Sequence, residues 1–293
     1  MAKVGVRLTH PGWLPAVPYD RLRQYNLGLA LLHLFSLIMI AALSTATWPV
    51  YVTRSDSRWA PINSTSVESC DKTPCRIEVS HRRAFEVSVE YLVLAFHAPA
   101  VLSHLYAGLL TQRAYAHAPR VPHRWLEYAV SASIMMVCIL LLTGITDLWT
   151  LLLAFVLCAG TQAMGYLGER EPQSWLYFYV GCFLMLPIWT AVYYSFYKSM
   201  ADAVKDPPTF VYWIVWTLLL LFMCFAVVDY GLRRRWQWLV RLGDGVPWVG
   251  AEYMYMILSL TAKSLLAWQI FFGALSREKN DLIAYDPANV PIS

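Results

Sequence analysis

The sequence predicts an all-α membrane protein, a bundle of seven transmembrane helices, and three observations carry that prediction. Of the 293 residues 58% are hydrophobic and only 14% charged, with a mean hydropathy of +0.45, which is too apolar for a soluble domain with a polar skin. A bilayer core about 30 Å thick needs roughly 20 apolar residues per helical crossing. Seven stretches meet that need, at 27–47, 87–110, 125–146, 148–167, 175–197, 210–230 and 252–275, here helices 1 to 7. Third, basic residues gather in alternate connections. Lys3, Arg7, Arg21 and Arg23 precede helix 1, Arg113, Arg120 and Arg124 lie between helices 2 and 3, and Arg233, Arg234, Arg235 and Arg241 lie between 6 and 7. The positive-inside rule then sets the N-terminus in the cytoplasm and, after an odd number of crossings, the C-terminus outside.

Taken in order, residues 1–26 form a polar arm with Pro11, Pro15 and Pro18, read as a poorly ordered cytoplasmic end. Helix 1 carries no convincing small-residue cleavage site after it, so it is expected to stay as a span rather than be removed as a leader. The 48–86 segment is too long for a simple turn. Its basic residues are interleaved with Asp56, Glu68, Asp71, Glu78 and Glu86, and "CRIEVS" alternates with the period of a strand. A small extracellular β-hairpin over the outer mouth of the bundle is therefore expected. This segment also holds the sequon Asn63-Ser64-Thr65, a glycosylation candidate, and Cys70 with Cys75, the one cysteine pair that invites a disulfide; both chemistries belong to an outer face. Cys138, Cys158, Cys182 and Cys224 fall singly in apolar helices and read as packing residues.

The connections beyond are short up to helix 6. The "RRRWQWLVR" run before helix 7 mixes basic and aromatic residues, but its place at a helix end on the positive side points to anchoring at the membrane interface and not to nucleic acid. Residues 276–293 are charged and Pro-bearing and read as an extracellular tail. Residues 27–275 are thus one seven-helix domain embedded in lipid, without a visible internal repeat.

Ionisable groups at depth in a bilayer are costly and so mark function by default. They are His33 in helix 1, Glu90, His97 and His104 in helix 2, Glu127 in helix 3 and Lys263 in helix 7. Glu90, Asp229 and Glu252, near helix ends, are expected to reach water. Lys263 is mid-span and cannot, so it must be paired or neutral. Helices 3 and 7 run in the same direction, and side chains lean toward the helix N-terminus, which makes Glu127 its natural partner. A structural ion pair would explain those two residues alone. Ser259, one turn before Lys263, and Ser131 and Ser133, after Glu127, add polar groups around them. Buried lysines also condense with carbonyl compounds to give Schiff bases. Helices 5 and 6 offer an apolar slot through Pro187, Trp189, Phe222 and Phe225 that suits a slim polyene aldehyde.

Seven helices with a lysine in the seventh resemble a rhodopsin, and the strings "YNLGLALLHL", "RWLEYAVSAS" and "LSLTAKSLLAWQIF" resemble the heliorhodopsin family in particular. The resemblance covers all seven helices and matches the inverted topology read from charge. It implies that Lys263 carries all-trans retinal as a Schiff base, that Glu127 is the counterion, that Ser259 hydrogen-bonds in the counterion region, and that His33 and His104 belong to a polar cavity beside them. His97 has no position in that pattern, and Cys158 stands where a polar residue is expected in helix 4.

The resemblance further implies a homodimer and light-driven isomerisation from all-trans to 13-cis in place of enzyme catalysis. The family's slow photocycle without ion transport points to a sensor with a cytoplasmic signalling partner. The alternative is a light-driven or light-gated proton conductor that uses His33, His97, His104 and Glu90 as its path.

Overall fold

The computed structural model describes residues 17–44, 48–62, 70, 75–201 and 209–275. Asn63, the first 16 residues and the 276–293 tail lie outside the described residues. Among the described residues seven helices are long and apolar enough to cross a membrane: helix 1 (Tyr19–Leu43), helix 2 (Val89–Leu109), helix 3 (Pro122–Leu142), helix 4 (Leu148–Arg170), helix 5 (Leu176–Ala201), helix 6 (Thr209–Arg233) and helix 7 (Pro247–Ile270, continued by a π turn over Phe271–Leu275). Helix 1 therefore begins well before residue 27, inside what the sequence presents as an arm. Asp20, Arg21 and Arg23 occupy its first turns, where a helix can leave the hydrocarbon and keep its charges in water.

The helix ends follow local chemistry. Pro122 and Pro247 open helices 3 and 7 at the first turn, where a missing N–H costs nothing. Asp147 caps helix 4 by accepting from the Thr150 amide at 2.9 Å. Between helices 3 and 4 the chain reverses through Gly144, whose φ of 93° lies in the region that only glycine enters without strain. Short helical segments at Thr111–Ala114 and Gln237–Leu242 occupy the connections 2–3 and 6–7.

The loop between helices 1 and 2 is a two-stranded antiparallel hairpin of β1 (Pro49–Pro61) and β2 (Cys75–Ser88), with a bulge at Val52/Thr53 and the disulfide Cys70–Cys75 near its tip. It rests on the 3–4 turn: the Thr53 amide donates to Thr146 O at 2.9 Å and the Ser55 hydroxyl to Asp147 Oδ1 at 2.9 Å. The strands are longer than "CRIEVS" announced because cross-strand pairs such as Arg58 with Glu78 sustain them outside the bundle.

Successive helices pack side by side and helix 7 closes the ring against helix 1. Of the most apolar window in each span, 61% is buried in helix 3 and 50% in helix 7, against 17% in helix 4. The interior is therefore built around helices 3 and 7, the two that carry Glu127 and Lys263. On the hairpin side of that pair lies an apolar cluster including Ile40, Val52, Val89, Val93, Phe96, Met136, Ile139, Leu266 and Ile270.

Candidate functional site: a buried lysine and its polar network

Lys263 is 2% exposed and Glu127 5%. The ammonium Nζ lies 3.1 Å from Glu127 Oε1 and donates to Ser259 Oγ at 2.6 Å. Ser259 sits one turn earlier on helix 7, so helical geometry alone delivers it to the nitrogen. The approach to Glu127 Oε1 is an ion pair in distance but off the hydrogen-bond direction, and that oxygen keeps acceptor capacity. The Tyr128 ring, 5.3 Å from Nζ, adds its face to the cation.

From Lys263, Ser259 and Ala262 a cavity of about 970 Å³ extends among helices 3 to 7. Trp189, Phe222 and Phe225 line it, with Tyr128, Met135 and Tyr255. Trp189 meets Phe222 edge-on at 5.6 Å and Tyr128 meets Phe225 edge-on at 5.6 Å, so the walls are fixed aromatic planes. Pro187, expected in the slot, lies within helix 5 and is not part of the wall. Trp189 does line it, with Leu186 and Thr190, because the wall is one face of the helix and Pro187 falls off that face. Ser131 and Ser133 are buried on helix 3 and do not line the cavity either; Ser133 faces the Cys158 thiol, and the Ser131 hydroxyl has no hydrogen-bond partner among the described residues.

A second polar system lies behind the lysine. His33 and His97 face each other with Nδ1 atoms 3.1 Å apart, and the His33 and His104 rings stack 5.6 Å apart at 9°. His104 Nδ1 donates to Asn26 Oδ1 at 2.8 Å. Asn26 Nδ2 donates in turn to Leu22 O and, at 3.0 Å, to the Tyr115 hydroxyl, which donates to Glu252 Oε1 at 3.1 Å. Arg124 then bridges Glu252 and Glu169, and its guanidinium lies over the Tyr255 ring at 4.5 Å. Burial pushes the Tyr115 hydroxyl up to about 12, so it stays protonated as a donor. The chain of contacts runs from mid-bundle to the end opposite the hairpin.

Glu252 is the clearest departure from expectation. It does not reach water at a helix end but is 2% exposed and held by Arg124 and Tyr115. Asp229, also expected in water, pairs with Arg233 at 3.0 Å and borders the cavity. Asn26, Tyr115, Arg124 and Glu169 were not singled out from the sequence. The available signal was spacing: Glu252, Ser259 and Lys263 follow at i, i+7 and i+11, and Arg124, Glu127 and Ser131 at i, i+3 and i+7, each set one helix face.

The family model for heliorhodopsins matches residues 22–275. The chain belongs to the heliorhodopsin family. No curated protein matches it. Among solved structures, the fold is similar to a light-driven proton pump from Leptosphaeria maculans (13% identity, TM-score 0.57, covering 86% of this chain and 95% of that one). It is likewise similar to cyanorhodopsin N4075R from the cyanobacterium Tolypothrix sp. NIES-4075 (12%, 0.59, 87% and 97%) and to the proton-pumping rhodopsin AR2 from the marine alga Acetabularia acetabulum (14%, 0.58, 93% and 100%). At such identities the likeness is one of fold. Family and fold together make this heliorhodopsin an integral multi-pass membrane protein that binds retinal and responds to light. The residues present fit that chromophore: a buried amine opens onto an aromatic-walled cavity, with a carboxylate beside it to balance a cation.

Proposed function

We propose that this heliorhodopsin is a light sensor in which Lys263 holds all-trans retinal, Glu127 is the counterion, and the proton displaced by light stays inside the protein. Retinal, bound through its aldehyde carbon to Lys263 Nζ, supplies visible absorption and light-driven isomerisation. The chain's own groups do the rest. Glu127 balances the positive charge on the lysine nitrogen, and Ser259 accepts its hydrogen. Trp189, Phe222 and Phe225 confine the polyene and exclude water. A proton lost from the nitrogen would pass to the side of His33, His104, Asn26 and Tyr115. Beyond them Glu169 and Glu252 share the Arg124 guanidinium, which closes the network at its far end.

One observation carries the sensor reading: the connected chain of buried polar contacts lies on one side of Lys263, and on the other the contacts that occur, such as Gln269 with Thr217, are isolated within a mainly apolar interior. Vectorial transport needs titratable groups or water in both halves. Among the described residues the side toward the hairpin is filled by Val89, Val93, Phe96, Ile139 and Leu266, with Glu90 apart from the histidines. A proton-conducting reading would need polar contacts from His97 to Glu90 across that cluster. The charge pattern supports a cytoplasmic N-terminus, so the network end faces the cytoplasm, where a signalling partner would read the altered conformation.

Flash spectroscopy with a pH-indicating dye in the bulk tests this reading. The expected result is a near-ultraviolet species that forms and decays slowly with no matching dye signal. A dye transient equal in amount to that species would overturn retention.

A further inference from the structure

His97 is a buried ionisable group that the sensor mechanism leaves without a role, and the inference about it rests on that mechanism. It projects from helix 2 at 0% exposure, and its Nδ1 meets His33 Nδ1 at 3.1 Å. Two imidazole nitrogens can share a hydrogen bond only if one carries hydrogen and the other a lone pair. In the neutral pair the two rings are therefore opposite tautomers, and one of the two buried Nε2 atoms is a vacant acceptor. The third ring is set separately. Asn26 gives its amide hydrogens to Leu22 O and Tyr115, so its Oδ1 accepts from His104, which fixes hydrogen on His104 Nδ1 and leaves Nε2 free.

The groups facing His97 are few. His33 reaches it from helix 1, His104 stands on its own helix and stacks on His33, and the charge of Lys263 on helix 7 acts on all three rings. Glu127 of helix 3 is paired with that lysine. Among the described residues no group of three His, Cys, Asp or Glu side chains is placed to hold a metal ion. A packing histidine would need no partner of its own kind. This one is aimed, nitrogen to nitrogen, at His33, the ring that also stacks on His104.

We propose that His97 is a positioning residue for the light reaction: with His33 it forms a proton-sharing pair, and the retained proton is held in the Nδ1–H–Nδ1 bond between them. The proton leaves the Lys263 nitrogen, which keeps the electron pair. It is carried across the gap by water, the usual bridge where groups are too far apart to bond directly, and is taken up at His33 Nε2. His33 then donates its Nδ1 hydrogen, now on a cation, to the lone pair of His97 Nδ1. Charge is conserved, since the lysine nitrogen loses what His33 gains. A charge-assisted bond is about twice as strong as a neutral one, so losing the pair should shorten the life of the stored-proton state about tenfold.

The test uses the full chain with ring-¹⁵N-labelled histidine. In the dark and without retinal, magnetic resonance should show coupling between two ring nitrogens across one hydrogen bond, absent in His97→Phe. Lack of that coupling in the unsubstituted protein overturns the pair, and this arm needs neither a variant that folds nor a chromophore. After loading with all-trans retinal, flash and infrared difference spectra are compared for the unsubstituted protein, His97→Phe and His97→Gln. The Gln amide still bonds to His33 but cannot hold a proton. Both variants should keep the dark absorption and lose the ¹⁵N-sensitive imidazolium band of the pair; His97→Phe, which removes the charge-assisted bond, should shorten the stored-proton state about tenfold, and His97→Gln, whose amide oxygen still accepts from His33, should shorten it less. An unchanged lifetime in His97→Phe, or an unchanged imidazolium band in His97→Gln, would overturn the proposal. If the unsubstituted protein never releases the lysine-nitrogen proton in light, the sensor mechanism fails and storage with it, while the nitrogen–nitrogen coupling persists and marks that failure as separate.

Discussion

Replacing Glu127 with Gln removes one negative charge 3.1 Å from the Lys263 nitrogen, where both side chains are at most 5% exposed. Glutamine fills the same space, so the loss is electrostatic. Removing one partner of a buried pair leaves the other charge uncompensated, a cost of about 3–5 kcal/mol in proteins. At about 1.4 kcal/mol per factor of ten, the ratio of deprotonated to protonated pigment should rise by about 100-fold or more. The assay is the absorption spectrum of Glu127→Gln loaded with all-trans retinal in the dark, recorded across pH beside the unsubstituted protein. The visible band should give way to a near-ultraviolet one at pH values where the unsubstituted pigment stays coloured, and the protonated remainder should absorb further to the red. An unchanged band and an unchanged pH profile would refute the assignment, and Ser259 with its hydrogen bond to the nitrogen could not rescue it.

Lys263→Ala should yield folded protein that takes no colour from all-trans retinal, because Lys263 is the one amine at the cavity among the described residues; visible absorbance surviving in it would place the attachment elsewhere. Asp147→Ala should lose the helix 4 cap and the hairpin anchor together, costing about 0.5–2 kcal/mol and speeding amide exchange at Thr53 and Thr150, while equal protection would deny the anchor. The bonds from the Thr150 amide, the Ser55 hydroxyl and the Thr150 hydroxyl hold the Asp147 carboxyl below the usual carboxylate range. That contribution is therefore complete above the ordinary carboxylate value and fades as pH falls through the lowered one, which exchange measured between neutral and acid pH would follow. In intact cells an N-terminal tag should be shielded from antibody and a C-terminal tag reached by it; the opposite labelling would reverse the topology.

How much was legible follows from where each signal is written. Long apolar runs gave all seven helices, since a span must satisfy its backbone within itself and declares this locally. The start of helix 1 did not declare itself, because Asp20, Arg21 and Arg23 continue the helix into water with no change of backbone. Strand β1 was hidden among Arg54, Asp56 and Arg58, whose pairing with β2 exists only once both strands are present. The lysine and its partner were readable because charge at depth has few explanations. The network behind them was not, since Asn26, Tyr115, Arg124, Glu169 and Glu252 each look like ordinary residues near a helix end. They become one system only when helices 1, 3, 4 and 7 and the 2–3 connection meet.

The claim that the displaced proton is kept is tested most directly by illuminating cells that make the loaded protein in weakly buffered medium, with and without a protonophore. Retention in a network that lies on one side of Lys263 predicts no light-driven pH change that the protonophore abolishes or inverts. A sustained change that the protonophore removes, and that Glu127→Gln also removes, would contradict retention and make the protein a proton transporter.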